Sequence, residues 1–199
     1  MGLEKAKTGK LLYHLTSLNN LESIIKRGLL PRRIMMQNRN AFFDIADQNI
    51  ISKRQVYGLD QYTPFHFHPY SAFDVAVKSR YNAQEMVYLC IGRELAIAND
   101  FKILPKHPLS QSECVLYDYR EGFEQIDWDV LMEANRVDNY AKEVKMAECL
   151  TDKIIPINYI EVIFVPSEEV KEIVLNMLQK NGINTSTPYV YVQSVWFNY

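Results

Sequence analysis

The run Met86-Val87-Tyr88-Leu89-Cys90-Ile91 constrains this chain more than any other stretch, because nothing polar interrupts it. A short, continuously apolar segment of this kind reads as a central strand covered on both faces. The rest of the chain supplies what such a strand needs. Residues 11–16 read as a strand entering a turn, followed by a helix that Ser17 or Asn19 can cap, with Leu21, Ile24 and Ile25 on its apolar side and Gly28 at its end. Further strands are expected at 62–69, 101–104 and 189–192, with 154–157 and 159–165 forming another central strand. Helices are expected at 41–53, 71–78 and 94–98, and around Trp128, Val130, Leu131 and Met132. A last helix over 168–180 is capped by Ser167 and has charges that suit its dipole. Residues 29–40 read as an irregular basic loop.

The chain has 199 residues, 48% hydrophobic and 23% charged, which predicts one globular domain over 1–199 with a single core. No run is long enough to span a membrane, and MGLEKAKTGK carries charge without an apolar signal region after it, so a cytoplasmic protein with no membrane partner is expected. Cys90, Cys114 and Cys149 are far apart and contain no Cys-x-x-Cys pair; they read as reduced core residues. The net charge of -2 argues against a protein that coats nucleic acid. It conceals an asymmetry, since residues 1–55 hold ten Lys or Arg against four acids. That basic first quarter either steers a phosphate-bearing ligand or forms a solvated face.

The candidate catalytic residue is Glu148, in Val144-Lys145-Met146-Ala147-Glu148-Cys149-Leu150-Thr151. Strand alternation puts Met146, Glu148 and Leu150 on one face and Ala147 and Cys149 on the other. A carboxylate in such surroundings finds a donor or changes its pKa; the competing reading is a surface glutamate. His14 shares a strand face with Thr16, and a lone strand histidine is more often structural, so it needs support from other positions. Arg54, just past the end of the 41–53 helix, either faces solvent or reaches over a ligand with its fork of donors. His66 and His68 alternate with aromatics, but nothing completes a metal set, and no metal is expected. Ser71 and the neighbouring aromatics read as a wall for a planar ring. His107 sits in a loop between two prolines.

Four motifs in register now matter together. They are Tyr13-His14-Leu15-Thr16 with the following Leu21-x-x-Ile24-x-x-x-Gly28 helix; Arg54 at a helix end; Tyr62-x-Pro64-Phe65-x-Phe67-x-Pro69-x-Ser71; and Lys145-x-Ala147-Glu148-x-Leu150. In order and spacing the chain resembles the DarT family of bacterial DNA ADP-ribosyltransferase toxins over nearly its whole length. The resemblance implies an α+β, ADP-ribosyltransferase-like fold: a split, mostly antiparallel pair of sheets with flanking helices and NAD in the cleft between them. It implies transfer of ADP-ribose from NAD, used as substrate, to a base in single-stranded DNA within a short sequence motif. His14, Leu15 and Thr16 would meet the nicotinamide side of NAD, Arg54 matches the family's essential arginine, His107 its loop histidine and Glu148 its catalytic glutamate. It also implies an antitoxin partner with ADP-ribosyl-hydrolase activity.

The chemistry suits these residues. Cleaving the nicotinamide-ribose bond leaves a cation-like sugar that a carboxylate stabilises, and the same carboxylate can assist proton removal from the acceptor. Arg54 serves better as an electrostatic clamp than as a base. An unpaired strand spares the work of flipping a base out of a duplex, and the aromatics with the basic segment 29–55 suit it by stacking and charge. The chain departs from the family at His66, Tyr70 and Phe73, where tyrosine, arginine and methionine are common. That leaves the base open, with thymine favoured over guanine. The alternatives are an ADP-ribosyltransferase acting on RNA or protein, and a non-catalytic single-strand-binding module.

Overall fold

The computed structural model describes residues 3–37, 42–107 and 114–198. The expected features at Asn38, Arg39, Asn40, Ala41 and Pro108 lie outside the described residues. Its strands are β1 (Leu11–Ser17), β2 (Thr63–His66), β3 (Met86–Gly92), β4 (Lys102–Leu104), β5 (Tyr117–Asp118), β6 (Glu148–Thr151), β7 (Val162–Val165) and β8 (Tyr189–Val192). They are ordered β5-β4-β6-β2-β1-β3-β7-β8, antiparallel throughout except for the β7/β8 pair. The apolar run is β3, every residue of it buried. Seven consecutive pairs join it to β1, from Leu11↔Gly92 to Ser17↔Met86. The junction of β1 with β2 is thinner, a single registered pair, Tyr13↔His66. The split anticipated from the resemblance takes this form: two four-strand halves meeting at one seam.

Alternation sorts the side chains into layers. Leu12, Val87, Leu89, Ile91, Ile163, Val165 and Cys149 point into the large core. Against that core lie α1 (Leu21–Arg27), α5 (Arg93–Ala98), α6 (Tyr119–Gln125), α7 (Trp128–Met132), α8 (Asn139–Val144) and α9 (Glu168–Lys180). Tyr13, Leu15, Tyr88 and Cys90 face the other way, into a second core closed by Val77 of α4 (Ala72–Arg80) with Trp196 and Phe197. Cys90 and Cys149 are buried, which pushes both thiols up. At the end of α1, Gly28 has φ +83°, and a Cβ there would stand 2.8 Å from Ile154 Cγ2. A glycine is required where α1 turns into the Leu29↔Ile155 bridge.

Three expectations are corrected. The basic loop contains a helix, α2 (Arg32–Gln37), started by Pro31, whose carbonyl accepts from Ile34 and Met35 amides. The helix expected at 41–53 begins later, as α3 (Gln48–Val56), because Asp47 caps it by accepting from Asn49 N at 2.8 Å. Residues 42–47 form an extended strap, and Arg54 lies inside the last turn of α3. Finally, 154–165 is one bridge, a 3-10 turn at Ile157–Tyr159 and a four-residue strand, since Pro156 withholds a ladder donor.

Candidate active site

Glu148 opens β6 and is 4% exposed. Its neighbours Ala147 and Cys149 fill the large core, so alternation turns its carboxylate the other way, beside Leu150. There it meets Arg54, whose Nη1 donates to Oε1 at 2.8 Å and to Oε2 at 2.9 Å. A surface glutamate is therefore excluded; this is a buried ion pair, and one nitrogen serves both oxygens. Arg54 Nη2 is buried with no hydrogen-bond partner, an arrangement that leaves a charged donor ready for a ligand.

Two histidines, His66 at the end of β2 and His68 just beyond the strand, fix the approach to Glu148. His66 Nδ1 donates to the Ala147 carbonyl at 3.2 Å, and His68 Nε2 donates to the Lys145 carbonyl at 2.9 Å while its Nδ1 accepts from Tyr70 N at 3.1 Å. Burial holds His68 neutral, its pKa lowered to about 3. These rings are committed to the backbone. Among the described residues no group of three or more His, Cys, Asp or Glu is placed to hold a metal ion.

Across the seam stands β1. His14 Nδ1 donates to the Pro64 carbonyl at 2.8 Å, and burial lowers its pKa to about 4. The neutral ring thus keeps Nε2 as an acceptor. Thr16 Oγ1 accepts from Asn20 Nδ2 at 3.2 Å. The same Asn20 amide binds both backbone groups of Phe43, accepting from its N–H at 2.7 Å and donating to its C=O at 2.9 Å. That clamp, with an Arg32–Asp44 ion pair, lays the 42–47 strap over the site.

Between seam, strap and α3 lies a cleft enclosing about 1330 Å³, its open mouth included. His14, Leu15, Thr16, Arg54, His107 and Glu148 all line it. Burial lowers the His107 pKa, with Glu148 raising it and Arg54 lowering it. Three buried polar atoms in the lining, Arg32 Nε, Arg54 Nη2 and Thr63 Oγ1, have no partner. An apolar cleft with a few unsatisfied polar atoms along its wall suits a ligand that is itself polar and anionic.

Comparison with known proteins identifies the family. The model of the family described as "ssDNA thymidine ADP-ribosyltransferase, DarT" matches residues 13–197. The chain belongs to the DarT family. Its activity is the family's, ADP-ribosylation of single-stranded DNA at the expense of NAD. Among solved structures, Thermus sp. 2.9 DarT in complex with ADP-ribosylated ssDNA is 25% identical with a TM-score of 0.81, over 95% of this chain and 96% of that one. The complex of Thermus sp. 2.9 DarT with NAD+ gives 24% and 0.76 over 95% and 98%. Thermosipho africanus DarTG in complex with ADP-ribose shares the fold at 19% identity and a TM-score of 0.73, over 95% of this chain and 51% of that chain. No curated protein matches the chain.

In this DarT chain Ser71 does not reach the cleft. It is fully buried at the start of α4, where Ser71 Oγ accepts from Asp74 N at 3.1 Å and Asp74 Oδ2 accepts from Ser71 N at 3.2 Å. Its hydroxyl is spent on a capping box, and the Ser-x-x-Asp spacing was the available signal. Sequence reasoning missed Asn20, Arg32 and Thr63 as cleft residues. Asn20 reads as an ordinary helix-start residue, and its grip on Phe43 spans 23 positions. Of the three departures from the family, His66 and Phe73 line the cleft and Tyr70 does not.

Proposed function

We propose that the cleft binds NAD with its nicotinamide end in the seam, against His14, Leu15 and Thr16, and that Glu148 and Arg54 carry the transfer of ADP-ribose to a thymine of single-stranded DNA. The observation that carries this reading is the Glu148–Arg54 pair, which lines the cleft with one guanidinium nitrogen still unpartnered. NAD supplies the ADP-ribosyl group and the nicotinamide leaving group; the chain supplies the rest. Glu148 stabilises positive charge on the ribose side and receives the proton that the acceptor base loses. Arg54 Nη2 and Arg32 Nε offer charged donors to anionic oxygens, and Thr63 Oγ1 a neutral hydroxyl. His14 offers its Nε2 lone pair to a hydroxyl or amide, and His107 lines the cleft within electrostatic reach of Glu148 and Arg54.

The base is read by the wall where this chain differs from its family. His66 and Phe73 lie 6.4 Å apart, centroid to centroid, and 35° from parallel, a surface on which a pyrimidine ring can stack. The protein works in the cytoplasm beside an antitoxin that hydrolyses ADP-ribose from DNA. Incubation with NAD and a pool of oligonucleotides should add one ADP-ribose unit to a thymine-containing strand, located by sequencing the adducts. Glu148→Ala should abolish the adduct with the fold retained, as judged by circular dichroism. Modified guanine in place of thymine would overturn the base assignment, and undiminished transfer by the Glu148 variant would overturn the role of the carboxylate.

A further inference from the structure

We propose that Pro64 holds the seam open: by withholding a backbone donor it stops β1 and β2 from pairing past Tyr13↔His66 and leaves the Leu15 carbonyl without a ladder donor beside the cleft. The placement of nicotinamide there rests on the reading above; the opening of the seam does not.

The argument follows from ladder alternation. Arg93 N donates to Lys10 O at 2.9 Å, so on β1 the even-numbered residues turn their backbone groups toward β3, leaving Tyr13 and Leu15 turned toward β2. Glu161 N donates to Cys90 O at 2.8 Å, which fits the same alternation on β3. On β2, His66 pairs with Tyr13, so His66 and Pro64 face β1, while Thr63 and Phe65 face β6. The next pair in this register is Leu15 with Pro64. It needs a Pro64 N–H for the Leu15 carbonyl, and proline has none. The Pro64 carbonyl, for its part, accepts from His14 Nδ1 at 2.8 Å.

The Leu15 carbonyl therefore gains no donor from Pro64, and both residues line the cleft. Proline in a sheet is ordinarily confined to edges and bulges. β2 is no edge, since it lies between β6 and β1. A proline whose missing donor faces an interior seam is accounted for by the gap it maintains.

The test is Pro64→Ala, with Pro64→Val as a second, more strand-prone variant, in the full chain. In the variants, exchange of the new residue-64 amide is read without NAD, and KM for NAD is read in parent and variants with a DNA oligonucleotide as acceptor. That amide, donating to the Leu15 carbonyl, should exchange about tenfold slower than an unpaired amide, the factor expected from one net backbone hydrogen bond. KM should rise by a similar factor, more than kcat falls, while thermal stability holds or increases. A residue-64 amide that exchanges freely in both variants overturns the proposal. Slowed exchange with an unaltered KM upholds the seam and overturns only the placement of nicotinamide.

Discussion

Two walls face each other across the cleft, and they are held by different forces. The wall of β1, β2 and β6 carries His14 and Glu148 on hydrogen-bonded strands backed by the large core. The opposite wall is the 42–47 strap and α3, a helix whose only buried residue is Ile51. Side chains hold it in place: Arg54 on Glu148, Asn20 and Tyr81 on Phe43, Arg32 on Asp44, and Arg80 on Asp47 at 3.3 Å. The carboxylate thus sits where nothing can yield, and its guanidinium partner sits where displacement is cheap. Precision on one side and compliance on the other suit a site that must admit a dinucleotide and then a DNA strand.

The largest effect expected from this contrast is on stability. Arg54→Ala strands the Glu148 carboxylate in a rigid, buried position, which costs about 3–5 kcal/mol. Glu148→Ala strands a guanidinium on a helix that can swing it into water, so its cost should be well under half as large. Urea denaturation of both variants at neutral pH measures the difference. Equal losses would show that α3 is as firmly held as β6.

Acid should attack the strand wall first. His14 and His68 are held neutral by burial, with pKa values near 4 and 3 against an ordinary 6.5. Below pH 6.5 the unfolded chain takes up protons that the folded one refuses, so stability falls as pH falls. The loss begins near pH 6.5 and is complete only below about 4 for His14 and about 3 for His68, on the order of 3 kcal/mol for the first and about 5 kcal/mol for the second. Hydrogen exchange at pH 5 should loosen 145–147, the segment pinned by His66 and His68, before it loosens 48–56. The reverse order would sink the assignment of those rings to the strand wall.

The same contrast marks what could be read from the sequence. The strand wall was legible because its rules are local: alternation placed Glu148 opposite Cys149, and the unbroken apolar run placed β3 at the centre. Gly28 and Ser167 marked helix ends by their own chemistry. The strap was misread as helix because Phe42, Ile45 and Ile50 mimic helical spacing while their backbone is claimed elsewhere. Asn20, far away in sequence, takes both backbone groups of Phe43, and Asp44 Oδ1 accepts from Ala46 N at 3.1 Å. Contacts across such separations leave no periodic trace. Glu148 was found as a candidate and the family resemblance put Arg54 at the same site, but their ion pair across 94 positions left no trace in the sequence.

Asn20→Ala tests the compliant wall directly. It removes two hydrogen bonds to the strap and one to Thr16, with an expected loss of about 1–3 kcal/mol. If the strap closes over NAD, KM for NAD should rise about tenfold, the equivalent of roughly 1.4 kcal/mol, with exchange at 42–47 faster. A stability loss with KM untouched would make the strap a bystander.

The smallest effect separates a structural serine from a ligand-binding one. Ser71→Ala deletes the cap of α4 and should cost about 1 kcal/mol, with Ser71→Thr restoring most of it, because a threonine hydroxyl can accept from the same Asp74 amide without adding charge beside that buried carboxyl. Neither substitution touches the cleft, so KM for NAD should stay at the parent value in both. The rescue pattern decides the matter, since a residue that met the nicotinamide ring would lose affinity with alanine, whereas a cap loses only stability.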